Sequence, residues 1–392
     1  MKTSFPGLFP TVTQLPAELP AFLAGTQGSN RAPQSQCQIA AENDFQAVQT
    51  WLAEYNNSPA TFRVYQKEGE RLLLWCLYQH KKPLSDLKRD DFECYIEFLK
   101  NPQPREVWCG TKGGRGQVRG SPNWKPFTSP LQAKSLSTSI TIINSLMTYL
   151  VDASYLQANP LRLLKKAKRQ PHFEARQLEV QARVLSETEW QAMLATLKAL
   201  PEELPHDKDE KYRLRFIVAM LFFLGLRVGE LTTHTWAAFR QIDNCWWFIV
   251  QGKGKKWGKI PVNSQLLDIV IQFRQHLRLP ALPQAEEHFP LVPSWRSREG
   301  LTARYINYLL KSLAIKTAKL HFEGDKATQD KLKKFSAHWL RHLSATMQDR
   351  AGVQFGHIRA NLRHESDETT RLYVHAEDKQ RHEDIHKITA VF

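Results

Sequence analysis

The sequence predicts a mainly α-helical chain with one small β-sheet, arranged as two domains. Apolar residues recur at helical spacing over most of the 392 residues, whereas two short runs, 246–250 and 259–262, have the composition of strands. A basic stretch without apolar periodicity, 162–183, separates two groups of helices. We therefore expect a helical domain and an α+β domain, joined by a linker.

The first domain is expected over 41–161, after a loosely ordered N-terminal arm over 1–40 that is rich in Pro, Gln and Ser. Its glycine-rich loop, 101–134, is basic and lacks the G-K-[ST] of a phosphate-binding P-loop. Asn159-Pro160 ends the domain. Four helices, enough for a compact helical domain, are expected at about 45–55, 58–79, 90–99 and 135–152.

The second domain is expected over 185–392, after the linker 162–184. Ser186 and Glu189 match a capping box at the start of its first helix. Residues 211–226 are apolar nearly all round, which predicts a buried helix. The turn GKGKKWG joins the two predicted strands. Further helices are expected at about 264–278, 302–317, 337–350, 354–361 and 367–376.

The charge of the chain favours an acidic partner. Its 54 Lys and Arg exceed its 39 Asp and Glu by 15, and nucleic acid is favoured over an anionic membrane surface. An apolar fraction of 42% excludes a mainly disordered chain. Five Cys without a C-x-x-C pair argue against a disulfide framework and a Cys-rich zinc site. The longest apolar run, 216–226, is too short to cross a membrane, and the N-terminal prolines argue against a secretion signal, so we expect a cytoplasmic protein.

Two segments of the second domain carry cations in unusual places. GLRVGEL places Arg227 at the end of the buried helix, with Glu230 one helical turn further on, where it is able to hold the guanidinium. Lys253 lies between two glycines in the turn of the hairpin. Taken singly, each has an ordinary structural explanation. The first is an ion pair that stabilises a helix end, and the second is a solvated turn that discourages edge pairing.

Two further segments are SAHWLRHLSAT and LRHESDETTRLYVHA. His338 and Arg341 share one face of a predicted helix, and Tyr373 falls on a short helix after His364. His338 and His342 have the i, i+4 spacing of a zinc site, but the Glu of H-E-x-x-H is missing, so no metal is expected. A lone Tyr is most often a core aromatic. Jointly, two Arg, two His, a Lys and a Tyr without a carboxylate pair point to a phosphoryl centre.

These residues resemble the signature of the tyrosine recombinase (phage integrase) family, which reads H-x-L-R-H and then L-G-H-x-x-x-x-T-T-x-x-Y. The sequence has HWLRH from His338, LRH ending at His364 and TTRLY ending at Tyr373. The spacings from Arg341 to His364 and from His364 to Tyr373 are usual for the family. Arg363 stands where the family usually has Gly, which adds a charge and constrains the turn.

The GLRVGEL segment and the GKG hairpin match the other two catalytic segments of the family, in the right order. The resemblance is specific over about 185–380. It extends weakly over 43–160, which is similar to the family's helical core-binding (SAM-like) domain. The fold it implies is a two-domain clamp around DNA, with the basic linker between the domains.

The resemblance implies a site-specific DNA recombinase that cleaves and rejoins duplex DNA without ATP, a metal or another cofactor. Tyr373 would attack the scissile phosphate, form a 3′-phosphotyrosyl bond and release a 5′-hydroxyl. Such an enzyme serves the integration or recombination of a mobile element or a chromosome. Glu230 would hold Arg227 or His338. The implied catalytic set is Arg227, Lys253, His338, Arg341, His364 and Tyr373.

The resemblance also implies a role for each of the other catalytic side chains. Arg227 and Arg341 would bind the non-bridging oxygens of the phosphate. Lys253 would protonate the leaving 5′-oxygen, and His338 would be the general base for the tyrosine. His364 would donate a hydrogen bond to the phosphate. Which group takes the tyrosine proton stays open at this point.

The implied partner is double-stranded DNA with inverted-repeat core sites, bound by a homotetramer across two sites. A dimer or a monomer is the alternative in the absence of synapsis. An accessory DNA-bending or directionality factor is left open. The apolar ending Ile388–Phe392 fits a tail that one subunit donates to its neighbour, and a helix that packs on its own domain is the alternative. The resemblance implies a bacterial or phage protein associated with the nucleoid. Phosphate contacts are expected from the glycine-rich loop and the linker. They are assigned to Lys112, Arg115, Arg119, Lys165, Lys166, Lys168 and Arg169.

Two alternatives are compatible with the same residues. A type IB topoisomerase or a telomere resolvase shares the tyrosine nucleophile, and relaxation of a plasmid without site preference would favour the topoisomerase. A DNA-binding regulator that has lost catalysis would bind its site without cleaving it. All six catalytic positions are filled in this sequence, which favours the recombinase.

Overall fold

The computed structural model describes residues 5, 7–8, 24–110, 119–121, 123–164, 184–251, 257–294 and 297–363. The chain divides into two compact units, Met1–Arg169 and Gln170–Phe392. The described residues of both units are mainly helical, and their one sheet lies in the second unit. The predicted fold class is therefore confirmed. Every helix within the described ranges is too short or too polar to serve as a membrane span.

Local sequence signals account for the helices of the first unit. Asn43 begins the first of them, because its side-chain oxygen accepts the backbone N–H groups of Phe45 and Gln46 at 3.1 and 3.0 Å. Pro59 occupies the first turn of the second, where a missing N–H costs little. That helix continues as a π-helical turn, Trp75–His80. The helices are α1 (Asp44–Ala53), α2 (Pro59–Leu74), α3 (Arg89–Lys100), α4 (Arg105–Trp108) and α5 (Ala133–Asp152).

Aromatic rings form a large part of the core of the first unit, and Phe5 is one of them. Phe5 is fully buried, with its ring centroid 4.6 Å from that of Trp108 and 5.3 Å from that of Tyr78. Leu8 is also buried, and its N–H donates to the Glu70 carboxylate at 2.6 Å. Both residues belong to the segment that was expected to be a loosely ordered arm, and both are buried. Their apolar side chains are removed from water by contacts with distant parts of the chain, which local composition does not reveal.

A buried carboxylate joins α1 to two other segments of the first unit, and through Ser85 to a third. Asp44 is 1% exposed, and it accepts hydrogen bonds from the Ser85 N–H at 3.0 Å and from the Tyr155 hydroxyl at 2.8 Å. The Ser85 hydroxyl in turn donates to the carbonyl oxygen of Gly25 at 3.0 Å. Burial raises the pKa of Asp44 to about 6, although the hydrogen bonds to its carboxylate act in the opposite direction.

The second unit begins with the predicted capping box. The Ser186 hydroxyl accepts the Glu189 N–H at 3.2 Å, and the Glu189 carboxylate accepts the Ser186 N–H at 2.7 Å. The elements of this unit are α6 (Glu187–Lys198), α7 (Pro205–Phe223), α8 (Val228–Thr233), β1 (Phe239–Ile242), β2 (Cys245–Gln251), β3 (Trp257–Pro261), α9 (Ser264–His276), α10 (Ala303–His321), α11 (Lys326–Leu332), α12 (Ala337–Arg350) and α13 (Phe355–Leu362).

Helix α7 is the centre of the second unit. It packs against α6, α9, α10 and α12, and its residues from Phe216 to Leu221 are all buried, which confirms the predicted buried helix. Phe216 stacks on Phe273 of α9 with 4.4 Å between the ring centroids. The candidate site begins at the C-terminal end of α7.

The sheet is antiparallel, with the strand order β1-β2-β3. Phe248 of β2 pairs with Phe239 of β1 and with Ile260 of β3, and all three are buried, so one face of the sheet covers the core. Strands β2 and β3 correspond to the two predicted strands, whereas β1 was not predicted. The segment 252–256, which contains Lys253, connects β2 to β3 in sequence and lies outside the described residues.

Candidate active site

Arg227 lies at the turn between α7 and α8. The turn depends on Gly225, whose φ of +54° is left-handed and where a Cβ atom would approach Cδ2 of Leu362 to 2.5 Å. Glu230 in the first turn of α8 accepts the Arg227 N–H at 2.8 Å and the Arg227 Nη1 at 3.0 Å. The ion pair predicted from the i, i+3 spacing is therefore present. The Arg227 side chain remains 44% exposed, so its guanidinium is accessible from solvent.

Arg341 connects distant parts of the sequence from inside α12. It is 3% exposed, and its Nη1 and Nη2 donate to the backbone carbonyls of Gly225 and Leu362. A buried guanidinium is unfavourable unless acceptors surround it, and these carbonyls supply them. The contacts also define the geometry of the site, because Gly225 closely precedes Arg227 and Leu362 closely precedes His364 in sequence.

His338 lies one turn before Arg341, at the start of α12. Its side chain is exposed, and its ring contacts the buried ring of His342 with 4.0 Å between the centroids. The start of this helix is held by another element, because Asn307 Oδ1 of α10 accepts the Ala337 N–H at 3.0 Å. Asn307 was not predicted from the sequence, since a cap supplied from another helix leaves no local signal.

Glu230 is the centre of the charges in this site. Its Oε2 accepts Arg363 Nη2 at 2.6 Å, so one carboxylate holds two guanidinium groups. Burial alone would raise the pKa of Glu230. The Arg363 charge, the Arg227 N–H and the charges of Arg227 and Arg341 outweigh burial and hold the pKa below its usual value. Glu230 is therefore an ionised carboxylate among three arginines, and we call these four residues the Glu230 cluster.

His234 is a second residue that was not predicted from the sequence. Its Nδ1 lies 2.7 Å from the carbonyl oxygen of Glu230, and its Nε2 accepts the Gln251 N–H at 2.9 Å. These two contacts together require a neutral ring with its proton on Nδ1. The ring joins α8 to the end of β2, next to the segment 252–256.

The structure brings together some of the catalytic and supporting residues that were predicted from the sequence. Arg227, Glu230 and Arg341 lie in the Glu230 cluster. Arg119, in the first unit, forms an ion pair with the buried Glu70 at 2.6 Å, and its DNA contact stays a prediction. The predicted residues and segments outside the described residues are Lys253, His364, Tyr373, Lys112, Arg115, Lys165, Lys166, Lys168, Arg169, the helix 367–376 and the tail Ile388–Phe392.

Comparison with known proteins establishes the family. Residues 183–380, half of the chain, match the Phage integrase family. The chain belongs to the phage integrase family. The matched range runs from the end of the predicted linker to beyond Tyr373, and it includes every residue of the Glu230 cluster.

Relatives of this chain are named as tyrosine recombinases. The tyrosine recombinase XerC of Pediococcus pentosaceus is 24% identical over 265 residues, which cover 67% of this chain and 77% of the relative. The tyrosine recombinase XerD of Caulobacter vibrioides is 29% identical over 195 residues, which cover 49% of this chain and 57% of the relative. With the family match, these similarities identify the chain as an enzyme of the site-specific tyrosine recombinase class.

Solved structures share the fold of this chain. The site-specific recombinase XerH, bound to its difH substrate in a pre-cleavage complex, aligns with a TM-score of 0.57 and 14% identity over 91% of both chains. The Tn1549 transposon integrase, in complex with transposon right end DNA, aligns with a TM-score of 0.55 and 16% identity over 88% of this chain and 99% of that chain. At these identities the agreement concerns the fold.

Proposed function

We propose that this protein cleaves and rejoins duplex DNA at a specific site through a 3′-phosphotyrosyl intermediate at Tyr373, without metal or ATP. The Tyr373 oxygen attacks phosphorus, the bond to the 5′-oxygen breaks, and the 5′-hydroxyl of another strand later displaces the tyrosine. Each step exchanges one phosphate ester for another, so no external energy source is required. Family membership supports the class of reaction, and the Glu230 cluster supports its chemistry.

The observation that carries the proposal is the convergence of three segments at Arg341. Its guanidinium binds the carbonyls of Gly225 and Leu362 and so joins α12 to the segments that precede Arg227 and His364. Arg227, exposed and held by a buried carboxylate, is suited to bind a phosphate oxygen in a fixed orientation. Preorganised cations stabilise the charge that develops on the non-bridging oxygens, and we assign this role to both arginines.

Two proton transfers accompany the proposed cleavage. His338, exposed in the first turn of α12, accepts the proton of Tyr373. Lys253 protonates the 5′-oxygen as it leaves, so that a hydroxyl rather than an alkoxide departs. His364 donates a hydrogen bond to the phosphate. The supporting evidence for the last three roles is the sequence signature and the family match.

Duplex DNA is the proposed partner, bound by a homotetramer across two inverted-repeat sites. The net charge of +15 and the basic residues within 111–118 and 165–169 support extensive phosphate contacts, which make affinity fall steeply with salt. The structures of XerH and the Tn1549 integrase are complexes with DNA. Their shared fold supports the same class of partner for this chain.

The test begins with the full-length protein and DNA fragments that flank its own gene. After incubation and denaturation in SDS, covalent protein–DNA adducts are captured and sequenced. We expect adducts at one site, and we expect the same yield in EDTA. Tyr373→Phe should bind a nicked duplex of that site with unchanged affinity and form no adduct. Adducts scattered without site preference, or adducts formed by Tyr373→Phe, would refute the proposed function.

A further inference from the structure

Arg363 has a backbone conformation that favours glycine. At the C-terminal end of α13 its φ is 53° and its ψ is 46°, in the left-handed region where a Cβ atom is unfavourable. Because this backbone conformation is unfavourable for arginine, we expect contacts of its side chain to offset the cost in free energy.

The Arg363 side chain is held at three points. Its Nη2 donates to Glu230 Oε2 at 2.6 Å, and its Nη1 donates to the carbonyl oxygen of Asn361 at 2.6 Å. Its methylene groups lie against β3, since a Cβ atom at Gly258 would approach the Arg363 Cδ to 3.2 Å. Only 11% of the side chain is exposed, so the guanidinium is directed into the protein rather than towards solvent.

Glu230 links Arg363 to Arg227. Its Oε2 accepts both Arg363 Nη2 and the Arg227 N–H, and its Oε1 accepts Arg227 Nη1 at 3.0 Å. Rotation of the carboxylate would therefore disturb all three contacts together. Arg363 also contacts Gly258 on the strand that follows the segment 252–256. One side chain thus contacts both the support of Arg227 and the strand that follows Lys253.

We propose that Arg363 is a positioning residue that holds Arg227 through Glu230, so that the Arg227 guanidinium meets the scissile phosphate in one orientation. This inference rests on the proposed recombination reaction. In this proposal Arg363 acts on Arg227 through Glu230 and does not itself bind the DNA. Its loss should therefore slow cleavage and leave DNA affinity nearly unchanged, because an interaction needed in the transition state affects the rate more than ground-state binding.

The test is single-turnover cleavage of a nicked suicide duplex that carries the mapped site. Arg363→Gly relieves the unfavourable backbone conformation and removes the side chain that holds Glu230. This variant should cleave at least about tenfold more slowly than wild type, and its dissociation constant for the duplex should stay within about threefold of the wild-type value. Arg363→Lys keeps the charge without the planar fork and should recover part of the rate. Arg359→Ala, at an exposed position of the same helix, is the matched control and should cleave at the wild-type rate.

A second substrate distinguishes a positioning role of Arg363 from a general loss of protein stability. A methylphosphonate at the scissile position replaces one non-bridging oxygen by methyl and removes the charge that Arg227 neutralises. The defect of Arg363→Gly relative to wild type should shrink on this substrate. An equal defect on both substrates, or wild-type cleavage by Arg363→Gly, would overturn the inference.

The coupling between Arg363 and Glu230 provides an independent measurement if Arg363→Gly does not fold. Glu230→Gln and Arg363→Lys should each slow cleavage, and the double variant should be no slower than the slower single variant, because both changes break one contact. Additive losses would overturn the inference. A wild-type protein that forms no adduct would instead refute the proposed function, so the two failures are distinguishable.

Discussion

Arg341 donates a hydrogen bond from Nη1 to the carbonyl oxygen of Gly225, 116 residues earlier in the chain. Its Nη2 donates to the carbonyl oxygen of Leu362. Both acceptors belong to the backbone, so the turn at Gly225 and the C-terminal end of α13 help to position this guanidinium. Arg341 therefore organises the candidate site, in addition to the catalytic role proposed for it.

Arg341→Lys should lose most of its cleavage activity although the charge is kept. An ammonium group lacks the planar fork that binds two carbonyls, so we expect cleavage to slow by about 100-fold or more. The free energy of unfolding should fall by about 1–3 kcal/mol, because a buried hydrogen-bonding group loses a partner. Single-turnover cleavage and urea unfolding measure the two effects. Arg350→Lys, exposed at the end of α12, is the control, and equal behaviour of the two variants would contradict the structural role of Arg341.

Gly225→Ala should destabilise the protein more than Gly324→Ala does. Both glycines have positive φ values, +54° and +85°, but a Cβ at Gly225 would approach Leu362 to 2.5 Å, whereas one at Gly324 meets nothing within 4 Å. The backbone cost, about 1 kcal/mol, is common to both variants. Overpacking should add about 1–3 kcal/mol at Gly225 alone. Chemical denaturation compares them, and equal losses would show that Gly225 does not pack closely on Leu362.

Asn307→Ala should weaken the start of α12, where His338 lies. The Ala337 N–H would lose its acceptor, at a cost of about 1 kcal/mol in the free energy of unfolding. Asn307→Asp keeps a side-chain oxygen and should retain most of the stability. Hydrogen exchange of the first-turn amides of α12 measures the effect directly. Unchanged exchange in Asn307→Ala would mean that the cap contributes nothing.

Asp44→Asn should change how stability depends on pH. The pKa of Asp44 is raised from 3.8 to about 6 by burial, so the folded chain keeps a proton that the unfolded chain loses between these values. The contribution of this group to stability is therefore fully present below about pH 4 and is lost as the pH rises through about 6, by up to about 3 kcal/mol. Urea unfolding of wild type and Asp44→Asn should show a difference that favours wild type more at about pH 4.5 than at about pH 7.5. A difference that does not change with pH would count against a buried protonated carboxyl.

The parts of the fold that the sequence predicted well have local signals. Helix α5, Ala133–Asp152, begins two residues before the predicted start and ends where expected, because its apolar stripe continues over the whole length. The Arg227–Glu230 pair was also predicted, since one helical turn brings the side chains together. Strand β1 was not predicted, because a four-residue strand is too short for alternation to register.

The contacts that complete the candidate site join residues far apart in sequence. Arg363 and Glu230 are separated by 133 residues, and the cap that Asn307 supplies to α12 comes from the preceding long helix. Neither pairing has a spacing that a sequence pattern is able to display. The sequence did identify Arg363 as a departure from the family, and the structure adds the carboxylate that its guanidinium binds.

The chemical identity of the covalent adduct tests the proposed reaction most directly. Wild-type protein is allowed to react with the nicked suicide duplex, the adduct is digested with nuclease and protease, and the modified peptide is sequenced by mass spectrometry. If Tyr373 is the nucleophile, the nucleotide is attached to Tyr373 through its 3′-phosphate, and the released DNA fragment carries a 5′-hydroxyl. Attachment to another residue, attachment through a 5′-phosphate, or the absence of any adduct would contradict the phosphotyrosyl mechanism.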